Sequence, residues 1–220
     1  MMVKNFIIIK FLLFSFILYS CTSVDRRKYY IKESKKGEEI TQFKKDIVSI
    51  PVNIMGQGVL PADLMAKYIT MKNNNVDYDY ALYLANIYIE EANREGINYD
   101  IAFAQMCLET GYLSFGNQVE PGQNNFAGIG AVDGGARGNS FPSPRIGIRA
   151  QIQHLKAYAS YDDLSETVVD PRFKYVKRGI APTIYDLAGK WASDLYYGEK
   201  IEKILKELYN LNLNNYYLNK

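Results

Sequence analysis

The sequence predicts a mainly α-helical domain interrupted by one glycine-rich stretch. After residue 47, apolar residues recur at three- and four-residue steps in several segments, the spacing of helices that bury one face. Residues 112–144 lose this periodicity and are rich in Gly, Asn, Pro and Ser. A long irregular stretch inside a compact domain is usually functional or disordered, and its alternating apolar residues also suit a small β-hairpin. We therefore expect a helical domain with a small glycine-rich β-hairpin lobe.

Two helices are predicted before residue 97. Pro61 suits the first turn of a helix at residues 62–71, because proline lacks the N–H that this turn leaves unpaired. Asp77 or Asp79 begins a longer helix that ends at Gly96. The apolar face of this second helix consists of Ala81, Leu84, Ala85, Tyr88 and Ala92.

The third helix carries the main candidate for chemistry. Asn98 or Asp100 caps it, Glu109 lies in its last turn and Gly111 closes it. Apolar and aromatic neighbours on both sides of Glu109 predict a poorly solvated carboxyl, and poor solvation raises a carboxyl pKa toward the range of a general acid. The alternative is an ordinary exposed residue at a helix end.

Three further helices are predicted at residues 145–159, 183–192 and 198–208. Thr183 and Asp186 suit a capping box at the start of the helix at residues 183–192, with Asp in place of the usual Glu. Residues 47–211 would form the folded domain, and residues 212–220 a frayed tail.

The amino terminus resembles a bacterial lipoprotein signal. A basic residue precedes an apolar stretch at residues 6–19 that is too short, and too interrupted by Lys10, to be a comfortable membrane span. Ser20 then precedes Cys21, so cleavage of residues 1–20 would leave Cys21 as a lipidated amino terminus. Tyr19 is bulkier than the usual residue at its position. The alternatives are an uncleaved anchor and an ordinary secretory peptide, and each version exports the chain from residue 22 onward.

Charge and cysteine content narrow the function classes. Residues 22–46 carry 8 Lys or Arg and 5 Asp or Glu with few aliphatic residues, so residues 21–46 are expected to be a flexible charged tether. Nothing in the charge balance favours nucleic acid. Cys107 would have no disulfide partner, and the lone His154 makes no metal site and is expected to be a structural polar residue. We expect a monomer that needs no cofactor or metal.

Five segments, taken in order, resemble the bacterial glucosaminidase family over about residues 53–208. They are residues 53–56 (NIMG), 60–69 (LPADLMAKYI), 102–112 (AFAQMCLETGY), 124–130 (NNFAGIG) and 189–201 (GKWASDLYYGEKI). Members of this family cleave peptidoglycan as β-N-acetylglucosaminidases and have a lysozyme-like helical fold. The resemblance therefore implies this fold and a glycan substrate.

The resemblance also implies roles for individual residues. Glu109 becomes the general acid, Tyr197 falls on a late tyrosine near the reacting sugar, and Asn125 and Phe126 fall on a segment that lines the groove. The remaining candidates for substrate binding are Tyr112, Phe141 and Trp191, with core packing as the alternative role for the last two. Residues 170–179 combine basic and aromatic groups that suit contact with the peptide stem or the glycan.

A second carboxylate is harder to find. Between Glu109 and Asp162 the only Asp is Asp133, and no Glu occurs between Glu120 and Glu166. Asp133 could activate a water, or it could simply form a turn before two glycines. The acetamido oxygen of the substrate could instead act as the nucleophile.

The predicted function is that of an exported, lipid-anchored enzyme of the cell envelope that cuts peptidoglycan after N-acetylglucosamine. One alternative is a lytic transglycosylase that cuts after N-acetylmuramic acid. The other is a wall-binding lipoprotein without catalytic activity.

Overall fold

The computed structural model describes the backbone of residues 29–31, 47–116, 120–131 and 137–218, and the side chains of residues 49–116, 120–131 and 137–212. In this part of the chain the fold is mainly helical, as predicted. Its α-helices are α1 (Ala62–Lys72), α2 (Tyr78–Glu95), α3 (Tyr99–Glu109), α4 (Pro144–Ala159) and α5 (Tyr197–Leu218). Short 3-10 helices lie at Pro121–Gln123, Phe173–Tyr175 and Ile184–Leu187. Two three-residue strands, β1 (Tyr29–Ile31) and β2 (Ile47–Ser49), pair antiparallel before the helices.

The helix ends follow local capping signals in the sequence. Asp77 precedes α2, and its side chain accepts a hydrogen bond from the first turn. Gly96 ends the same helix in the left-handed conformation with φ 72°. The side chain of Asn98 accepts hydrogen bonds from two backbone N–H groups at the start of α3. These caps settle the open choices in favour of Asp77 and Asn98.

Helix α3 lies at the centre of the core. All residues from Asp100 to Cys107 are buried, and the helix packs against α2, α4 and α5. A helix that is apolar on every side belongs in the interior of a fold, which explains why α3 shows no polar face in the sequence. The thiol of Cys107 is free and buried there. Glu109, the last residue of α3, is held where the helix leaves the core.

The predicted β-hairpin lobe is absent from the described residues of the glycine-rich stretch, 112–116, 120–131 and 137–144. One backbone hydrogen bond joins Asn139 N–H to the carbonyl of Ile129. The side chain of Asn125 takes the Ile129 N–H and the Asn139 carbonyl, which the second bond of such a pair would need. Asn124, Gly128 and Gly130 also adopt positive φ, which breaks an extended backbone. The stretch is therefore an irregular loop in this part of the chain.

Two predictions for the carboxyl-terminal helices are wrong. Thr183 begins a 3-10 helix at Ile184–Leu187 and not an α-helix to residue 192. Helix α5 continues to Leu218, so residues 212–218 are helical and not a frayed tail. No Gly or Pro occurs between residues 199 and 218 to end the helix, and Tyr209 and Leu211 still pack on the core.

Three cations of α4 pair with buried carboxylates of α2. Lys156 is buried, and its Nζ lies 2.8 Å from a carboxylate oxygen of the buried Glu95. Arg145 and Arg149 both donate to Glu91, which is 1% exposed. These pairs join α2 to α4.

The predicted signal at residues 1–20 and the lipid attachment at Cys21 lie outside the described residues, as does most of the predicted tether. Within the described residues, every helix is too short or too polar to cross a membrane.

Candidate active site

Glu109 lies where α3 leaves the core, and its side chain is half-buried. The chain turns sharply after it, with Gly111, Tyr112 and Leu113 all at positive φ. Non-glycine residues rarely adopt this conformation, and strained backbone of this kind clusters at functional sites. The turn ends α3 at the carboxyl instead of extending the helix past it.

Among the described residues, the two hydrogen-bond donors to Glu109 converge on one of its oxygens. The hydroxyl of Tyr197 and the indole Nε1 of Trp191 donate to Oε1, the latter at 3.1 Å. The other oxygen, Oε2, faces Gly128. A Cβ atom added at Gly128 would lie 3.4 Å from Oε2. Gly128 has φ 64°, so glycine there satisfies the backbone and leaves Oε2 uncrowded.

The surroundings of Glu109 shift its acidity. Burial raises its pKa above the ordinary value of a glutamate, and the hydrogen bonds from Tyr197 and Trp191 offset part of that rise. The pKa of Tyr197 is raised well above its ordinary value, chiefly by burial and also by the nearby carboxyl. The tyrosine therefore remains protonated and acts as a donor.

Tyr197 is placed by the close packing of α5 on the preceding 3-10 helix. A Cβ at the next residue, Gly198, would lie 2.6 Å from Cα of Tyr185, so only glycine permits this approach. The packing buries the Tyr197 side chain to 4% exposure beside α3.

A chain of buried polar side chains ends on Glu109. Tyr88 donates to Gln151, Gln151 donates to Gln105, and Gln105 donates to the hydroxyl of Tyr197. Tyr197 then donates to Glu109. Helices α2, α4, α3 and α5 each contribute one of these four donors, and every bond points toward the carboxyl. Such a chain polarises its members in one direction and favours negative charge at its end.

A cavity of about 220 Å³ adjoins the carboxyl through Gly128 and Trp191, and Glu109 itself is not part of its lining. Its lining combines loop residues 127–131 with His154, Tyr158, Arg172, Lys190 and Trp191. No Asp or Glu belongs to this lining in the described part of the chain. The described residues also contain no cluster of three metal-ligating side chains.

Trp191 lies in an irregular segment and not in a helix, so its position depends on contacts. Its ring packs at 4.8 Å from His154 and 5.7 Å from Tyr158 between ring centroids. The Tyr158 hydroxyl also donates to the carbonyl of Lys190. Helix α4 thus supports the indole that bonds Glu109.

The predicted site residues fall into three groups. Glu109, Tyr197 and Trp191 meet in the structure. Asn125, Phe126 and Phe141 are buried to 7% exposure or less and shape the loop that carries Gly128. Tyr112 packs against Tyr68 and Lys72 on α1 and is not part of the cavity lining.

Asp133 lies outside the described residues. Three residues at the site were not predicted: Gln105, Gly128 and Asp170. Gln105 precedes Glu109 by four residues and so shares its helix face, a signal that the sequence does contain. Gly128 lies within the predicted groove segment. Asp170 lies in the segment 170–179, which was expected to contact the substrate, but its bond to His154 was not predicted.

Residues 85–210 match the family described as mannosyl-glycoprotein endo-beta-N-acetylglucosaminidase, known as the glucosaminidase family. The match spans more than half of the chain and contains every residue that contacts Glu109. The chain belongs to the glucosaminidase family. It is also 43% identical, over 200 residues, to a protein of Borreliella burgdorferi described as uncharacterized. That alignment covers 90% of this chain and 96% of the relative.

The glucosaminidase domain includes α3, α4, the cavity and the start of α5. The family points to a glycoside hydrolase with peptidoglycan as substrate and implies an exported protein. The family assignment expected from the sequence is thereby confirmed.

Proposed function

We propose that this protein hydrolyses the β-1,4 bond after N-acetylglucosamine in peptidoglycan, with Glu109 as the general acid. The observation that carries the proposal is the asymmetry of the Glu109 carboxyl. Two donors occupy Oε1, and Oε2 is next to Gly128 of the cavity lining.

This asymmetry determines where the acid proton resides. Oε1 accepts from an O–H and an N–H, so a proton on that oxygen would displace one of them. The protonated carboxyl therefore carries its hydrogen on Oε2. Burial raises the pKa of Glu109 and keeps more of the carboxyl protonated near neutral pH.

The reaction follows from this arrangement. Oε2–H protonates the glycosidic oxygen as the bond from C1 to that oxygen breaks, and positive charge develops on the sugar ring. Glu109 becomes a carboxylate, which the hydroxyl of Tyr197 and the indole of Trp191 stabilise. These donors require no rearrangement, because both already bond Oε1 before the proton leaves.

Two routes supply the second group in this proposal. In one, the acetamido oxygen of the substrate attacks C1 and water opens the resulting ring, which retains the configuration of the sugar. In the other, Asp133 activates a water that attacks C1 directly and inverts the configuration. NMR of the first-formed anomer separates them, since a β product excludes direct attack by water.

A lytic transglycosylase is the second candidate. The observation that favours it is a cavity lining that contains no Asp or Glu among the described residues and so offers no partner carboxylate for Glu109. Mass spectrometry of the soluble muropeptides distinguishes the two activities. Reducing N-acetylglucosamine ends support the hydrolase, and anhydromuramic ends in their place would replace it with the transglycosylase.

The direct test compares the wild-type protein with Glu109→Gln on purified sacculi. Removing a general acid is expected to lower the rate about 10²- to 10⁴-fold. Glu199→Gln is the matched control, because Glu199 is an exposed glutamate in the first turn of α5. Equal digestion by Glu109→Gln and wild type would mean that Glu109 is not the acid, and no digestion by wild type would favour a catalytically silent wall-binding protein.

We further propose that Cys21 carries the lipid that anchors the exported enzyme to a membrane. Labelling with a radioactive fatty acid tests this: the label should be present in wild type and absent in Cys21→Ala. Label that persists in Cys21→Ala would exclude this attachment.

A further inference from the structure

His154 is the only histidine in the chain, and a buried carboxylate fixes its ring. Its Nδ1 lies 2.7 Å from Oδ2 of Asp170, whose side chain is fully buried. Oδ1 of Asp170 accepts from the backbone N–H of Arg172 at 2.8 Å. A carboxylate can only accept from the ring, so Nδ1 bears the hydrogen. In the neutral ring, Nε2 therefore holds the lone pair.

Nε2 of His154 is accessible from the cavity. None of the described residues forms a hydrogen bond with Nε2. Fully buried polar atoms without a partner are known for these residues, and Nε2 is not one of them, so part of its surface is exposed. The residue also belongs to the cavity lining. Because His154 belongs to the cavity lining and its side chain is 13% exposed, we infer that Nε2 is available to a ligand in the cavity.

The surroundings of His154 suit an acetamido group. Ala127 and Ile129 offer apolar surface in the same lining, and Trp191 lies between His154 and Glu109. An acetamido group has one methyl for an apolar surface and one N–H that needs an acceptor. Asp170 cannot be that acceptor, because its side chain is buried and already bonded.

We propose that Nε2 of His154 accepts a hydrogen bond from the amide N–H of an N-acetyl group on the bound sugar. This inference rests on the proposed function, because it assumes a glycan in the cavity. Asp170 is a positioning residue in this arrangement, since it holds the tautomer that leaves Nε2 as an acceptor. His154 thereby contributes to recognition of the amide N–H of N-acetylated sugars.

The test measures binding in the Glu109→Gln background, so that the ligand is not cleaved. Calorimetry compares a β-1,4 N-acetylglucosamine oligomer with an analogue in which an O-acetyl ester replaces each N-acetyl amide, so that the methyl and carbonyl remain and only the N–H donor is lost. His154→Phe keeps a ring against Trp191 and removes the acceptor. It should weaken binding of the N-acetylated oligomer about tenfold, the scale of one lost hydrogen bond, and leave binding of the O-acetyl analogue unchanged.

Tyr83→Phe is the matched control, because it changes an exposed tyrosine on α2 that lies outside the cavity lining and keeps the His154 acceptor. An equal loss for both oligomers in His154→Phe, or no loss for either, would overturn the inference. If His154→Phe does not fold, His154→Ser is judged by the same comparison. Failure of the proposed function is distinguishable, since it would appear as wild-type protein that does not digest sacculi.

Discussion

At the scale of single residues, the two oxygens of Glu109 have different tasks. Oε1 accepts hydrogen bonds from Tyr197 and Trp191, and Oε2 is next to Gly128 at the cavity. The two hydrogen bonds to Oε1 favour the carboxylate form of Glu109, and burial favours the neutral acid. The balance allows one group to hold its proton in the free enzyme and release it during the reaction.

Tyr197→Phe should shift the pH dependence of the enzyme. The Tyr197 hydroxyl stabilises the charged carboxylate and lowers its pKa, so removing it raises the pKa of Glu109 further. A general acid works when protonated, and the alkaline limb of kcat/KM should therefore move to higher pH. Tyr196→Phe, which changes an exposed neighbour, should leave the limb in place. A shift to lower pH would contradict this view of Tyr197.

At the scale of elements, α4 supports the site from two sides. It carries His154 and Tyr158 toward Trp191, and it is joined to α2 by the buried pair of Lys156 and Glu95. The carboxylate of Glu95 also accepts backbone N–H groups of Ser165 and Glu166 beyond the end of α4. This pair holds α4 and the segment after it in one position.

Lys156→Met should therefore destabilise the fold. It would leave the Glu95 carboxylate buried without its cation, a change that costs about 3–5 kcal/mol in other proteins. Urea unfolding measures the loss. Lys67→Met is the control, because Lys67 and Asp63 form an exposed pair on α1 whose removal should have little effect. Equal unfolding midpoints for the two variants would show that the buried pair does not stabilise the domain.

At the scale of the whole molecule, positive charge is concentrated beside the cavity. Residues 171–190 contain five cations, Arg172, Lys174, Lys177, Arg178 and Lys190, and a single carboxylate, Asp186. Asp186 bonds Thr183, and none of the five cations forms an ion pair with a described residue. Arg172 and Lys190 belong to the cavity lining itself.

This distribution predicts salt-sensitive action on anionic sacculi. Peptide stems carry carboxylates, so raising the salt concentration should lower kcat/KM by screening their attraction to the cations. The double variant Arg172→Ala/Lys190→Ala should lose roughly two- to fivefold per cation at low salt and depend less on salt. Lys67→Ala removes a paired cation on α1 and is the control. An unchanged salt dependence in the double variant would exclude this role.

Structural features that depend on residues close together in the chain can be predicted from the sequence. Asp77, Gly96 and Asn98 act within one turn of their own helices, so three helix ends follow from neighbouring residues. The contact of His154 with Trp191 joins residues 37 positions apart across an irregular segment, and periodicity does not report such contacts. The described residues of the glycine-rich stretch form no strand for a similar reason, because the Asn125 side chain takes the Ile129 N–H and the Asn139 carbonyl that would otherwise pair with each other.

Trp191 is the only tryptophan in the chain, and its indole N–H bonds the carboxyl proposed to be the acid. Tryptophan fluorescence, excited where the tyrosines do not absorb, therefore arises from this one ring. Ionisation of Glu109 places a negative charge 3.1 Å from Nε1 and changes the electric field across the ring. The emission should consequently titrate with Glu109 in wild type and not in Glu109→Gln. The protein thus contains an optical probe of its own site, and the acid can be titrated without a substrate.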